Sequence, residues 1–164
     1  MKVNIIDNDL LSIQEARILA ENALEAHKKL ATFSQEKLDE IVECMAERVS
    51  HHTRELAVMS AEETDYGKWQ DKYIKNRFAC EYLPAHIRGM KCVGVINTDQ
   101  EKQIMDVGVP MGVLVSLCPA TSPVSTTVYS ALIAVKSGNA IIFSPHPRAY
   151  NSICKVLDIM IEAA

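Results

Sequence analysis

The chain has 164 residues, of which 48% are hydrophobic and 23% charged, and this composition is that of one soluble globular domain of ordinary size. A net charge of −4, with no block of lysine or arginine, argues against a nucleic-acid partner. No apolar run is as long as the ~18 residues of a membrane span, and five dispersed cysteines without a C-x-x-C pair indicate reduced thiols, so we expect a cytoplasmic protein without a membrane partner.

Residues 1–90 are predicted to form a helical, charged segment, which begins with a poorly fixed lead-in at residues 1–9. Apolar residues recur with helical spacing in four stretches, at residues 10–30, 38–49, 54–64 and 68–86. Ser34 is a suitable N-cap for the second helix, and Thr53 is suitable for the third. Pro84 conflicts with the fourth helix, because a proline inside a helix kinks or ends it.

Residues 91–108 are predicted to form a β-hairpin. Its strands are Lys91–Ile96 and Lys102–Val107, and its turn lies at residues 97–101. Because an isolated hairpin is not stable in water, this one must pair with or pack against another surface.

The next part of the chain is predicted to be a strand–helix–strand unit. Gly112–Cys118 and Ala140–Phe143 are short apolar runs typical of fully buried strands, and Val124–Lys136 has one apolar helical face. Gly138 is the expected left-handed C-cap of this helix. A unit with two buried strands implies a parallel sheet, and a last helix is predicted over residues 149–164.

Two loops follow the carboxyl ends of the predicted strands. Ligands collect at this edge of a parallel sheet, so Pro119–Pro123 and Ser144–Arg148 are the candidate binding loops. Each loop also has a purely structural interpretation, the first as a proline-rich connection in which Ser122 or Ser125 caps the helix, the second as a rigid turn. The sequence contains no G-x-G-x-x-G motif, so the usual dinucleotide fingerprint is absent.

The other polar and reactive residues are expected to be structural. The pairs His51-His52 and Glu62-Glu63 lack metal-ligand spacing to anything nearby, so we predict no metal site and place both pairs at the surface. Cys44 and Cys154 lie among apolar helix positions and are expected in the core.

Three phrases of the sequence carry a resemblance to a known family. They are VPMGVLVSLCPATSP at residues 109–123, ALIAVKSGNAIIFSPHPRA at residues 131–149, and EETDYGKWQDKYIKN at residues 62–76. The chain resembles the aldehyde dehydrogenase superfamily and, within it, the CoA-acylating (acetylating) acetaldehyde dehydrogenases. The similarity runs along nearly the whole chain and implies the N-terminal portion of such an enzyme.

The resemblance implies an α/β fold in which N-terminal helices and a hairpin arm lead into a Rossmann-like domain. Residues 1–90 would be the helical segment, residues 91–108 the hairpin arm, and residues 109–164 the start of the nucleotide-binding sheet. In the resembled family the hairpin builds subunit contacts, so a homo-oligomer formed through it is expected.

The resemblance also implies an activity. NAD would be the cofactor and CoA the cosubstrate, and the enzyme would interconvert a small aldehyde such as acetaldehyde and its acyl-CoA. The nucleophilic cysteine of the family corresponds to a position downstream of Ala164. Cys118 is therefore expected to be an ordinary strand residue, and the chain alone is expected to be inactive.

The resemblance assigns roles to both candidate loops. Ser122 takes the oxyanion position, where acylating members usually have an asparagine. Ordinary aldehyde dehydrogenases use lysine and glutamate at the adenosine ribose, and their replacement by Ser144 and Pro147 suits the 3′-phosphate of CoA, with donors or charge from His146 and Arg148. The positions implied in cofactor binding are Pro119, Ala120, Thr121, Ser144, His146 and Pro147.

Two other functions are compatible with the sequence. The first is a non-acylating aldehyde dehydrogenase, which makes the free acid and is opposed by the Ser-Pro-His-Pro turn at residues 144–147. The second is a non-catalytic protein that keeps the helical and hairpin contacts and binds partners.

Overall fold

The computed structural model describes residues 7–164, and residues 1–6 of the predicted lead-in lie outside the described residues. Seven α-helices and four strands lie between residues 7 and 164. The helices are α1 (Asn8–Leu30), α2 (Gln35–Ser50), α3 (Thr53–Thr64), α4 (Trp69–Arg77), α5 (Leu83–Ile87), α6 (Pro123–Lys136) and α7 (Tyr150–Ile161). The strands are β1 (Gly94–Asp99), β2 (Ile104–Gly108), β3 (Val113–Cys118) and β4 (Ala140–Pro145).

The N-termini of α1, α2 and α3 agree only in part with the predicted caps. The carboxylate of Asp7 accepts hydrogen bonds from two backbone N–H groups of the first turn, so α1 already begins at Asn8, inside the predicted lead-in. Ser34 caps α2 as predicted. The predicted cap at Thr53 is wrong, because this residue is the first of α3 and its hydroxyl bonds the carbonyl of Ser50.

The fourth predicted helix is three elements rather than one. After α4 the chain forms a π-helical turn at Phe78–Tyr82, and α5 then continues to Ile87. Pro84 lies in the first turn of α5, where a missing backbone N–H is tolerated. The wider π turn immediately before α5 changes the hydrogen-bond register ahead of this proline, so the helical path continues past it.

The hairpin exists, but its strands are displaced from the predicted positions. β1 begins at Gly94 rather than Lys91, because the side-chain oxygen of Gln35 accepts the backbone N–H groups of Cys92 and Val93. β1 then runs to Asp99, whose carboxylate binds the backbone of the turn. β1 and β2 pair antiparallel.

β3 and β4 pair in parallel around α6, as the strand–helix–strand prediction requires. The prediction that both strands are fully buried is wrong. Val115 and Leu117, on one face of β3, are 64% and 77% exposed. Among residues 7–164 this sheet has two strands.

The core lies where α2, α6 and α7 meet the π-helical turn. Its fully buried large side chains include Leu56, Leu132, Val49, Val128, Val156 and Met160. Cys118 is buried as expected, whereas Cys44 is exposed and Cys154 half-buried, which corrects their predicted core positions. None of the helices between residues 7 and 164 combines the length and apolarity that a membrane crossing requires.

Candidate functional site

The structure brings the two candidate loops together at one edge of the β3–β4 sheet. In the parallel register Cys118 lies opposite Pro145, so both strands end side by side. The backbone N–H of His146 donates to the carbonyl of Cys118 at 3.0 Å, which fixes the start of one loop against the start of the other. The predicted site residues from Pro119 to Ser122 and from Ser144 to Pro147 are therefore neighbours.

Ser122 occupies the N-cap position of α6, but its side chain does not cap the helix. Its hydroxyl oxygen lies 3.4 Å from the hydroxyl oxygen of Thr126, and no backbone N–H of α6 donates to it. The prediction that Ser122 or Ser125 caps the helix is correct in position for Ser122, although the expected capping hydrogen bond is missing. The Ser122 hydroxyl is thus paired with the Thr126 hydroxyl and not with the backbone of α6.

A largely apolar cleft of about 490 Å³ opens beside Ser122. It lies between α6 on one side and α4 with the π-helical turn on the other. Its lining residues are Ile74, Lys75, Phe78, Ala79, Ser122, Ser125, Thr126 and Tyr129. The cleft therefore places a hydroxyl donor at the wall of a space that suits a small, mostly apolar molecule.

The first loop is held from α4 by a buried lysine that the sequence analysis missed. Lys72 is 4% exposed, and its ammonium donates to the carbonyl of Thr121 at 3.2 Å. The sequence did contain a signal for this position. The buried residues Lys72, Asn76, Ala79 and Leu83 follow helical spacing and define one buried face of this segment.

The second loop is fixed by its own side chains. The Nδ1 atom of His146 accepts from the backbone N–H of Arg148 at 3.1 Å, which in the neutral ring leaves Nε2–H as a free donor. The guanidinium of Arg148 donates to the carbonyl of Thr64 at 2.8 Å, so this residue ties the loop to α3. Ser144, His146 and Pro147 are exposed.

Glu63 caps α7, which begins directly behind the second loop. Its carboxylate accepts from the backbone N–H groups of Asn151 at 2.7 Å and Ser152 at 2.8 Å, and also from the Ser152 hydroxyl. Burial raises the pKa of Glu63, but the hydrogen bonds from Ser152 and Asn151 outweigh it and hold the pKa below its ordinary value. Glu63 is therefore a half-buried residue at the surface, and its carboxylate is engaged as a helix cap.

Replacement of Glu63 by alanine is expected to destabilise the chain by about 1 to 2 kcal/mol at pH 7, as loss of a helix cap typically does. Because the folded-state pKa is lowered, this stabilisation is complete above the ordinary pKa and is lost as pH falls through the folded value. Urea unfolding at several pH values measures it. Glu62→Ala, at an exposed neighbour, is the matched control; equal losses for both variants would contradict the capping role.

The two loops offer uncharged donors and one guanidinium that is already engaged. The hydroxyls of Thr121, Ser122 and Ser144 and the Nε2–H of His146 are among the groups that a ligand would meet, and the loops contain no carboxylate side chain. Within residues 7–164, no three His, Cys, Asp or Glu side chains come together as metal ligands. This edge of the sheet therefore suits a neutral or anionic ligand.

Comparison with known proteins identifies the class to which this arrangement belongs. The sequence model of the aldehyde dehydrogenase family matches residues 5–164, and the chain belongs to this family. The family indicated by the three sequence phrases is therefore confirmed.

Particular relatives narrow the comparison. The chain is 36% identical to the bifunctional aldehyde-alcohol dehydrogenase AdhE of Escherichia coli (strain K12), over 93% of the chain and 17% of that protein. A crystal structure of a probable aldehyde dehydrogenase from Listeria monocytogenes EGD-e superposes with a TM-score of 0.93 at 46% identity, covering 96% of the chain and 35% of that protein. An acetylating aldehyde dehydrogenase from Geobacillus thermoglucosidasius gives a TM-score of 0.91 at 42% identity, covering 97% and 35%. The chain thus spans about a third or less of the length of these relatives.

Proposed function

We propose that this chain is the N-terminal part of an NAD-dependent, CoA-acylating aldehyde dehydrogenase that interconverts acetaldehyde, or another short-chain aldehyde, and the acyl-CoA. The observation that carries the proposal is the 42% identity to an acetylating aldehyde dehydrogenase over 97% of the chain. The family fold brings the two candidate loops to the same sheet edge, where a ligand of both loops would lie.

The chemistry needs a cysteine thiolate that attacks the aldehyde carbon, after which hydride leaves and the acyl group passes to the sulfur of CoA. Cys118 does not suit this role. It is buried, with its sulfur 3.4 Å from the hydroxyl of Thr127, and a nucleophilic thiolate requires an accessible position. The family resemblance places the nucleophile downstream of Ala164, in a part of the enzyme outside this chain.

The Ser122 hydroxyl has the role of oxyanion donor. When the thiolate attacks, the aldehyde oxygen becomes negatively charged, and a fixed donor lowers the barrier. The hydroxyl does not cap α6, and Ser122 lines the apolar cleft in which a short aldehyde would lie. Phe78, Ala79 and Tyr129 would contact the aldehyde chain.

Pro119, Ala120 and Thr121 would form the floor beneath the cofactor, and Ser144, His146 and Pro147 would contact its adenosine ribose. These residues fit such a group, because the loops expose hydroxyl and imidazole donors and carry no acidic side chain to repel a phosphate. NAD, when bound, supplies the hydride acceptor. The protein contributes the shape of the edge and the donors that orient the ribose.

The hairpin would provide the contact between subunits. Its exposed apolar side chains support this role: Val95, Ile96, Ile104, Met105 and Val107. These side chains would be covered in a homo-oligomer of the enzyme.

The proposed activity is tested by supplying acetaldehyde, NAD and CoA and following NADH by its absorbance. We expect CoA-dependent turnover from the longer enzyme in which this chain is the N-terminal part, and none from the 164-residue chain. Turnover without CoA would identify a non-acylating enzyme. Activity of the 164-residue chain that Cys118→Ser abolishes would contradict the assignment of Cys118.

Ser122→Asn is expected to preserve or raise the rate of hydride transfer in this enzyme, because an amide restores the donor that acylating family members usually have. Single-turnover formation of NADH measures the rate. Ser125→Asn, at a second serine of the same cleft, is the matched control. A tenfold or larger loss in a folded Ser122→Asn enzyme, about 1.4 kcal/mol in the barrier, would show that the loop requires the smaller side chain.

A further inference from the structure

Lys72 is a buried cation without an acidic partner. Its side chain reaches from α4 to the first loop, and within residues 7–164 it forms no ion pair. Burial lowers the pKa of its ammonium, and the neighbouring positive charge of Lys75 adds to this effect. A methionine would fill the same space without the cost of removing a charge from water. The ammonium is therefore expected to serve the loop that it contacts.

The contact lies at the peptide unit that joins the loop to Ser122. The carbonyl of Thr121 and the N–H of Ser122 belong to the same peptide unit, which is planar, so the hydrogen bond from Lys72 orients both residues. The beginning of the loop is fixed by the bond between His146 and Cys118. Its end is fixed where the Ser122 carbonyl accepts from Thr126 at 3.1 Å.

We propose that Lys72 is a positioning residue, which holds the Thr121–Ser122 peptide so that the Ser122 hydroxyl stays directed at the reacting aldehyde oxygen. The inference rests on the function proposed above for Ser122. The hydroxyl of Ser122 contacts the hydroxyl of Thr126 at 3.4 Å but makes no capping bond to the backbone of α6, so its position also depends on the backbone of the loop. A charged donor behind that backbone restrains it more strongly than a neutral one.

The next buried polar residue of α4 shows what a purely structural contact looks like. The amide of Asn76 donates to the carbonyl of Thr53 at 3.1 Å, which joins α4 to the start of α3. That bond lies away from the candidate loops. Lys72, one helical turn earlier, makes the corresponding bond to the loop that carries the oxyanion position.

The first experiment uses NMR on the 164-residue chain and does not depend on activity. In Lys72→Met we expect a changed resonance of the Thr121 carbonyl carbon and about tenfold faster amide exchange at Thr126, as expected when a hydrogen bond to a charged group is lost. Exchange at Ser137, at the far end of α6, should stay unchanged. Lys72→Arg should retain most of the protection, and Lys68→Met, at an exposed lysine, is the matched control.

The second experiment uses the active enzyme. Lys72→Met should lower kcat by roughly tenfold to a hundredfold, the size of effect that follows when a reacting group is displaced, while KM for aldehyde and NAD stays within about twofold of wild type. Lys72→Arg should recover part of kcat. A change confined to KM, or a kcat equal to that of wild type, would overturn the positioning role.

The two experiments separate this inference from the proposed function. The anchoring of the loop would be overturned if the NMR spectra of Lys72→Met matched those of wild type. It would also be overturned if amide exchange became faster by the same factor at Thr126 and Ser137. An inactive wild-type enzyme would contradict the proposed function instead, and the NMR result would then decide the anchoring alone.

Discussion

Replacement of Leu132 by alanine is expected to destabilise the chain by about 3 kcal/mol, within the range measured for buried leucines in other proteins. Leu132 is completely buried in α6, against which α2 and α7 pack. Truncation removes apolar contacts and leaves a cavity that the surrounding helices fill only in part. Because domains are typically stable by about 5 to 15 kcal/mol, this loss is a large share of the total.

Urea unfolding followed by circular dichroism measures the loss. Leu117→Ala provides a matched control, because the same substitution is made at a side chain that is 77% exposed on β3. The control is expected to change the free energy of unfolding by less than about 0.5 kcal/mol. A small effect at Leu132, or equal effects at both leucines, would contradict the position of the core between α2, α6 and α7.

The strand–helix–strand unit could be predicted from the sequence because its signals are local. Gly138 illustrates this: its φ of 71° is the left-handed conformation expected of a C-cap. Its N–H donates to Val135, and the N–H of Asn139 donates to Ala134, which together close the end of α6. The position of both candidate loops at one sheet edge followed from this unit and the rule for parallel strands.

Features that depend on contacts between distant residues could not be predicted in the same way. Glu63 and Ser152 are far apart in sequence, and nothing local to the Glu62-Glu63 pair indicates that one carboxylate caps α7. The hairpin register was missed for a similar reason, since the side chain of Gln35 binds the backbone just before β1. Hydrophobic periodicity alone does not indicate which distant residues form these hydrogen bonds.

Burial was misjudged in both directions. The apolar composition of β3 predicted a covered strand, yet Val115 and Leu117 are exposed. Lysine is almost never buried without a partner, so its residue type masked the position of Lys72 on the buried face of α4. The second error concerns the candidate site, because Lys72 contacts the loop that leads to Ser122.

The second large effect is expected at the Ser144–Arg148 turn, if NAD and CoA use one adenosine site in turn. Reduced cofactor must leave or move away before the sulfur of CoA reaches the acyl-cysteine, so one pocket can serve both molecules. That pocket must accept a ribose with or without a phosphate. Pro147 is exposed at the start of the short 3₁₀ turn, where ordinary aldehyde dehydrogenases are expected to carry glutamate.

Pro147→Glu should therefore weaken the binding of CoA by about tenfold or more, because an added carboxylate repels the 3′-phosphate. The affinity for NAD should change by less than about threefold, since its ribose carries only hydroxyls there and could gain a hydrogen bond. Pro147→Gln is the matched control, with the same length and no charge, and rising salt should reduce the difference between the two variants. His146→Ala should weaken the binding of both ligands modestly, because the turn loses the Nε2–H donor and the bond that Nδ1 accepts from the Arg148 N–H.

Titration of each ligand against the wild-type enzyme and these variants gives the affinities, and competition between NAD and CoA tests whether the site is shared. CoA affinity that is the same in Pro147→Glu and Pro147→Gln would show that the turn does not meet the phosphate. Simultaneous, independent binding of NAD and CoA would exclude a shared pocket. Mutual exclusion together with a charge-dependent loss of CoA alone is the result expected if His146 and Pro147 border one adenosine site that serves both steps of the reaction.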